Sequence, residues 1–244
     1  MDKKIIEIAG VAYAYPGGEA VLRGVDFVVN PGERIGIIGP NGSGKTTLFH
    51  LIMGLIALQT GSMKIFGRPV HSDGDFLEVR RRIGYLFQNS QDQLFCPTVM
   101  EDVAFGPLNL GKAPAEARAI ARRTLEALGI VDFGSRVSHK LSHGEKKLVA
   151  LASVLAMDPE VLILDEPAAG LDHETKDRLM GILSNLDLTL VITSHEMDFM
   201  SRMASIYYAL ADGRMEKAGH IVPHIHTHIH VGGEYSHRHE DEYH

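Results

Sequence analysis

Gly39-Pro40-Asn41-Gly42-Ser43-Gly44-Lys45-Thr46 matches the spacing G-x-x-x-x-G-K-[ST] at every fixed position. Glycines at these places let the backbone turn tightly, so that its N–H groups converge on an anion at the N-terminus of the following helix. Lys45 then reaches the β- and γ-phosphates, and the Thr46 hydroxyl holds Mg²⁺. The flanks agree. Arg34–Ile38 reads as a short buried strand, and Thr47 to Met53 reads as a helix, the strand–loop–helix order that the motif requires. A glycine-rich turn that binds nothing has no need of Lys and Thr directly after Gly44. The stretch reads as a nucleoside-triphosphate site.

Two other apolar runs end in polar groups. Val161-Leu162-Ile163-Leu164 leads into Asp165-Glu166-Pro167, and Leu190-Val191-Ile192-Thr193 leads into Ser194-His195. Short apolar runs of this kind form buried strands of parallel sheets. Ligands of such sheets bind at the carboxyl ends of the strands, so the three ends are expected to meet at one edge. Asp165 would hold Mg²⁺ directly or through water. Glu166 is placed to act as general base on the attacking water. His195 would hydrogen-bond the γ-phosphate. A histidine after a strand is usually no more than a polar loop residue, but here the neighbouring strand ends already carry chemistry.

The rest of the 244-residue chain has room for one sizeable domain, or a core with a subdomain. Charged residues at 23% and hydrophobic residues at 45% are ordinary for a soluble globular protein. A formal charge of −7 argues against a general nucleic-acid binder. The one basic cluster, Arg80-Arg81-Arg82, reads as a solvated helix face. A single cysteine, Cys96, forms no internal disulfide and suits a reducing compartment. No signal peptide is evident, and no apolar run approaches the length of a membrane span, so membrane work would need partners to supply the spans. Residues 3–30 alternate as strands do, with a turn at Tyr13-Ala14-Tyr15-Pro16-Gly17-Gly18. Residues 97–157 are mainly helical: one helix runs from Ala115 to Leu128 and stops at Gly129, and another runs from Ser142 to Met157.

Taken together these residues resemble the ATP-binding-cassette (ABC) ATPases. Leu141-Ser142-His143-Gly144-Glu145 is similar to the family's signature, usually Leu-Ser-Gly-Gly-Gln. Gln88 after Tyr85-Leu86-Phe87 resembles the Q-loop glutamine, Ala169-Gly170-Leu171-Asp172 the D-loop, His195 the H-loop switch, and Tyr15 the aromatic that stacks on adenine. The resemblance covers residues 1 to about 218. It implies an α/β fold: a P-loop NTPase (RecA-like) core with a parallel sheet, an N-terminal antiparallel β subdomain and an α-helical subdomain inserted at about 89–157. It also implies that Lys45, Glu166 and His195 are catalytic. The nucleotide would be held by Tyr15, Gly39, Asn41, Gly42, Ser43, Gly44, Lys45, Thr46, Thr47, Gln88, Asp165 and Asp172, and Mg²⁺ by Thr46, Gln88 and Asp165. Two cassettes would close head-to-tail around two ATP molecules, Ser142 and Gly144 of one meeting the γ-phosphate held by Lys45 of the other. A homodimer, or a dimer with a related ATPase, follows. Two signature positions depart from the pattern. His143 would suffer if a positive φ were needed there, and Glu145 would add negative charge near phosphate, so a weakened ATP affinity is expected.

The run from Gln88 to Phe95 and on through Pro97 to Pro107 resembles the energy-coupling-factor branch, whose ATPases drive uptake of vitamins and of cobalt or nickel. That branch implies transmembrane energy-coupling and metal-binding subunits, and a peripheral place on the cytoplasmic face of the membrane. The segment from residue 219 onward differs in composition and reads as a flexible tail. From His220 it holds eight of the fourteen histidines. His224, His226, His228 and His230 alternate, sharing one face of an extended chain, and imidazole ligates Ni²⁺, Co²⁺ and Zn²⁺. His-rich segments are also often polar and without a defined site. The main reading is therefore the ATPase of a cobalt or nickel importer. The alternatives are the ATPase of a vitamin importer, a soluble cassette ATPase of repair or translation, and a cassette regulating a metal-buffering tail.

Overall fold

The computed structural model describes residues 4–218. His224, His226, His228 and His230 lie outside the described residues, and so does the expectation of a metal site there.

Two sheets organise the described chain. In the first, β1 (Ile6–Ala14) lies between β2 (Ala20–Val29) and β4 (Thr60–Ile65), antiparallel to both, with β5 (Arg68–Pro69) at the edge beyond β4. Inward-facing Ile6, Ile8, Val11 and Tyr13 on β1 and Leu22, Val25, Phe27 and Val29 on β2 are all buried. The register between β1 and β2 slips between Ile8 and Val11, and Gly10 at φ 61° accommodates the bulge. Period-two burial makes these strands a lid with one wet face.

The second sheet runs in the order β10-β9-β3-β8-β7-β6. Its strands are β3 (Arg34–Ile38), β6 (Ile83–Leu86), β7 (Val161–Asp165), β8 (Thr189–Thr193), β9 (Ile206–Ala211) and β10 (Arg214–Ala218). All pairings are parallel except β10 with β9. Every residue of β7 and β8 is buried, which is why both read as unbroken apolar runs and not as alternating ones. Helices cover the faces: α1 (Lys45–Ile52), α2 (Asp73–Arg82), α6 (His173–Ser184) and α7 (Met197–Met203).

Between β6 and β7 lie α3 (Val99–Asn109), α4 (Pro114–Ala127) and α5 (His143–Leu155). Their mutual apolar contacts form a cluster of their own, including Val103, Ala121, Leu125, Leu148 and Val149. Capping boxes start three of the helices: Ser72 with Asp75, Thr98 with Glu101, and Ser142 with Glu145. At the other end of α4, Leu128 is the cap and Gly129 turns the chain away at φ 67°. Helix α5 belongs to two cores at once. Leu148, Val149 and Ala152 face α3 and α4, while Ala150, Leu151 and Val154 pack on the parallel sheet.

The expectation that Arg80-Arg81-Arg82 is a solvated helix face holds for Arg81, which is exposed, and in part for Arg80 and Arg82, which are half-buried. Arg80 donates to the carbonyls of Met53 and Gly54 at the end of α1, Arg81 pairs with Glu78, and Arg82 makes a two-pronged ion pair with Glu160 while its guanidinium lies 3.4 Å from the Phe66 ring centre. Arg80 and Arg82 thus tie α2 to the end of α1, to Phe66 and to Glu160, while Arg81 pairs within α2.

Candidate functional site

The three strand ends meet. In the parallel register Asp165 lies opposite Thr193, and Thr193 opposite Ile37, so β7, β8 and β3 finish side by side. A cleft of about 290 Å³ opens there, lined by Tyr15, Asn41, Gly42, Ser43, Gly44, Lys45, Thr46, Thr47, Gln88, Asp165, Glu166 and His195, with Val21 beside them. A larger hollow of about 750 Å³ lies between α4, α5 and α6. Its Arg178 already donates to the carbonyls of Leu128 and Gly129, and its Asn185 to the carbonyl of Gly181. The smaller cleft holds the chemistry.

Its floor is built for an anion. Helix α1 begins at Lys45, and its N-cap, Gly44, offers no side chain to the free N–H groups, leaving them for a ligand. Gly44 adopts φ 105°, and a Cβ there would come within 2.7 Å of Leu22, so only glycine fits. Ser43 Oγ is buried and has no hydrogen-bond partner among the described residues, as expected of a group awaiting a phosphate oxygen. Lys45 Nζ donates to the carbonyls of Gly39 (2.8 Å) and Pro40 (3.0 Å). Burial pushes its pKa down, while Glu166 and Asp165 push it back up.

Asp165 is the hub of the opposite wall. Thr46 Oγ1 donates to its Oδ2 at 2.7 Å, Tyr85 O–H reaches the same oxygen at 3.2 Å, and Thr193 Oγ1 donates to Oδ1 at 2.8 Å. A hydroxyl and a carboxylate side by side, all oxygen, make a donor set suited to a hard cation such as Mg²⁺. Glu166 adopts φ 47°, an uncommon conformation for a residue with a side chain, held by N–H donation to the carbonyl and hydroxyl of Thr193. The turn aims its carboxylate at His195, whose backbone N–H donates to Oε2 at 3.2 Å and whose Nε2 lies 3.1 Å from Oε1. At the mouth, Tyr15 O–H lies 3.2 Å from Thr47 Oγ1, and its ring meets Tyr13 edge-to-face at 5.1 Å.

Residues 22–169 match the family model described as ABC transporter, a span reaching from β2 past the Asp165-Glu166 turn. The chain belongs to the ABC transporter family. The ABC ATPase is 48% identical over 96% of its length to a Nitratidesulfovibrio vulgaris protein provisionally named as an ABC transporter ATP-binding protein, 86% of which is covered. It is 43% identical over 88% of its length to the energy-coupling factor transporter ATP-binding protein EcfA of Methanocaldococcus jannaschii, covering 78% of that protein. Among solved structures it resembles cbiO1 of Clostridium perfringens, described as part of the ABC transporter complex cbiONQ, with TM-score 0.78, 33% identity and 88% of each chain covered. A dimeric ATP-binding cassette solved with ADP and phosphate aligns with TM-score 0.79 at 27% identity, over 89% of this chain and all of the other. The protein is thus an ATP-hydrolysing, ATP-binding subunit of an ABC transporter with a P-loop α/β fold. No helix among the described residues is long and apolar enough to cross a membrane.

Four of the residues expected at the nucleotide stand outside the cleft of their own chain. Gly39 lies where β3 passes β9, and a Cβ on it would meet the Leu210 carbonyl oxygen at 2.1 Å. Asp172 caps α6 by accepting from the Thr175 N–H and hydroxyl. Ser142 and Gly144 begin α5, where Ser142 Oγ accepts from the Glu145 N–H and Gly144 lies against Thr175.

This geometry removes the two structural grounds for expecting a weakened ATP affinity. His143 is the first residue of α5 and has no positive φ, so the position makes no demand for glycine. Its Nε2 lies 3.2 Å from the Ala169 carbonyl, joining the signature to the Ala169–Asp172 turn. Glu145 is neutralised by a two-pronged pair with Arg136 at 2.6 and 3.1 Å, which together with the Ser142 N–H holds its pKa below the usual carboxylate range. The variant His143→Gly should therefore keep MgATP affinity within about threefold. It should melt lower by about 1–4 °C, the cost of glycine in a helix plus a lost contact. Equilibrium ATP titration and thermal melting check both; a tenfold gain in affinity would restore the idea of a handicapped signature.

Sequence reasoning missed three groups. Thr193 and Tyr85 brace Asp165, and burial together with Asp165 pushes the Tyr85 phenol far up, keeping it a donor. Lys147, one turn into α5, is completely buried and donates to the carbonyls of Phe87 (3.2 Å) and Gln88 (2.7 Å). The sequence offered only a weak signal for it, a lysine directly before the apolar pair Leu148 and Val149.

Proposed function

We propose that this ABC ATPase powers an importer of the energy-coupling-factor type, with cobalt or nickel ions as cargo. The observation that carries the coupling to membrane partners is an apolar groove of about 260 Å³ beside the Gln88 loop, lined among others by Met53, Leu55, Phe87, Phe95, Phe105 and Met157. Phe95 is 65% exposed and Phe105 40%, and their rings stack edge-to-face at 4.7 Å. An exposed aromatic pair rimmed by polar residues is an anchor point for a helix of a transmembrane subunit. The relatives named EcfA and the likeness to cbiO1 support the branch, and the alternating histidines of the tail favour a metal cargo. A vitamin cargo is the second reading, favoured by the EcfA names alone.

In the proposed cycle Tyr15 stacks on adenine, and the N–H groups of residues 41–47 with Lys45 bind the triphosphate. Thr46, Asp165 and Gln88 would hold Mg²⁺, which would supply neutralisation of the phosphoryl charge. Glu166 takes a proton from the water that attacks the γ-phosphorus as the bond to ADP breaks, and His195 orients both. Ser142 and Gly144 of a second cassette complete the site, so ATP favours a closed dimer and hydrolysis opens it. The working location is the cytoplasmic face of the membrane, with residues 1–218 as the ATPase domain and 219–244 as a metal-binding tail.

Uptake of radiolabelled Ni²⁺ and Co²⁺ by cells tests this. With Lys45→Ala uptake should fall to background, and truncation after Gly219 reports what the tail adds. Unchanged uptake of both metals would remove the metal cargo, and vitamin uptake then becomes the assay.

A further inference from the structure

The buried ammonium of Lys147 has no place in the cycle just described. It is 0% exposed, and no carboxylate pairs with it within 4 Å among the described residues. Its two recorded acceptors are main-chain carbonyls of Phe87 and Gln88. Burial drives its pKa down to about 8, against the pull of Asp165 and Glu166. Burying a cation costs several kcal/mol in general, and an apolar residue of similar volume is often as stable or more so. A lysine here is therefore a poor choice for stability alone.

Its position suggests what it does instead. Lys147 lies five residues from Ser142 on the same helix, a rise of about 7.5 Å. That helix is wedged between the apolar cluster of α3 and α4 and that of the parallel sheet. The carbonyl that Lys147 grips most closely, at 2.7 Å, belongs to Gln88 itself, whose residue lines the cleft with Thr46, Asp165 and Glu166. A second tie runs from Gln93 Nε2 to the Ala150 carbonyl of α5, at 3.4 Å and weaker. The loop that meets one nucleotide and the helix whose tip meets the other are joined most closely through the Lys147 side chain.

We propose that Lys147 is a positioning residue that couples the Gln88 loop to the tip of α5, so that engagement of nucleotide in one cleft sets how Ser142 and Gly144 are presented to the second. The proposal rests on the reading of Gln88, Ser142 and Gly144 given above. Nucleotide drawing on the Gln88 side chain shifts its carbonyl, and the ammonium carries that shift to α5. Without the ammonium, only the weaker Gln93 tie remains and the positions of loop and helix are less closely linked. Binding in the open monomer is unaffected, and closure suffers.

The full chain with Lys147→Met, Lys147→Arg, Gln88→Ala and the double variant Gln88→Ala/Lys147→Met is assayed for kcat and KM with MgATP. ATP-driven dimerisation is measured by sedimentation in a Glu166→Gln background. Lys147→Met should lower kcat about tenfold or more with KM within threefold, and weaken dimerisation in parallel. Lys147→Arg, which keeps donors at the same place, should recover most of the loss. The double variant should be no slower than the slower single one, because both cut the same link. Independent, multiplicative losses in the double variant, or full turnover by Lys147→Met while Gln88→Ala is slow, overturns the proposal and leaves the reading of the site intact. Full turnover by Gln88→Ala overturns that reading itself, and the proposal with it. Should Lys147→Met not fold, Lys147→Gln takes its place: its amide is too short to hold both carbonyls, so the same loss of kcat at constant KM is expected, and wild-type kcat overturns the proposal.

Discussion

Replacing Glu166 by glutamine is expected to leave MgATP binding intact, slow ATP hydrolysis by at least about a hundredfold, and trap the closed dimer. General-base catalysis by a positioned carboxylate contributes about 10²–10⁴ in rate, and the amide cannot accept the proton. The local structure should survive. The φ of 47° at this residue is held by main-chain donation to Thr193, which the change does not touch. Glutamine also keeps an oxygen for the His195 N–H, now 3.2 Å from Glu166 Oε2. Single-turnover hydrolysis of radiolabelled ATP, with sedimentation in MgATP, checks both halves. Turnover within tenfold of wild type would remove Glu166 from its proposed role and point to a base elsewhere in the cleft.

The second large effect is expected at the other end of the Gln88 loop. The double variant Phe95→Asp/Phe105→Asp should weaken association with the transmembrane subunits by about a hundredfold or more. Each ring forfeits about 1.5–3 kcal/mol of apolar burial when a partner is excluded. Each carboxylate adds the cost of entering an apolar groove. Both rings are substantially exposed in the described chain, so the fold itself should lose little, with a melting temperature within about 2 °C of the parent. Co-purification of the tagged ATPase with its membrane subunits measures the result. Undiminished co-purification would place the membrane contact on another face.

Much of the site was legible because its groups sit at fixed distances along the chain from strong local signals. The phosphate loop requires a strand before it and a helix after it, so Gly39–Thr46 carried both its own geometry and that of β3 and α1. Asp165 and His195 were found for a related reason: fully buried parallel strands are continuous apolar runs, and the first polar residues after them emerge at the carboxyl edge. What escaped were residues whose importance lies across the chain. Thr193 looks like one more β-branched strand residue until β8 is placed beside β7. Arg80 and Arg82 look like solvent charges until α2 is laid against α1, Phe66 and Glu160. Glu145 looks like excess negative charge until Arg136 closes on it, although its capping-box spacing from Ser142 was there to be read.

By itself, then, the sequence determined the class of fold, the triphosphate loop, the two polar strand ends and a resemblance to the ABC ATPases. These follow from periodicity and from motifs of a few residues, where covalent spacing dictates geometry. Only the tertiary structure decided that His143 needs no positive φ, that Glu145 is neutralised, and that a buried Lys147 joins the Gln88 loop to α5. The contact between Lys147 and Gln88 spans 59 positions. Separations of that kind are set by which helix packs on which sheet, and the packing of many apolar side chains decides it, not any local pattern.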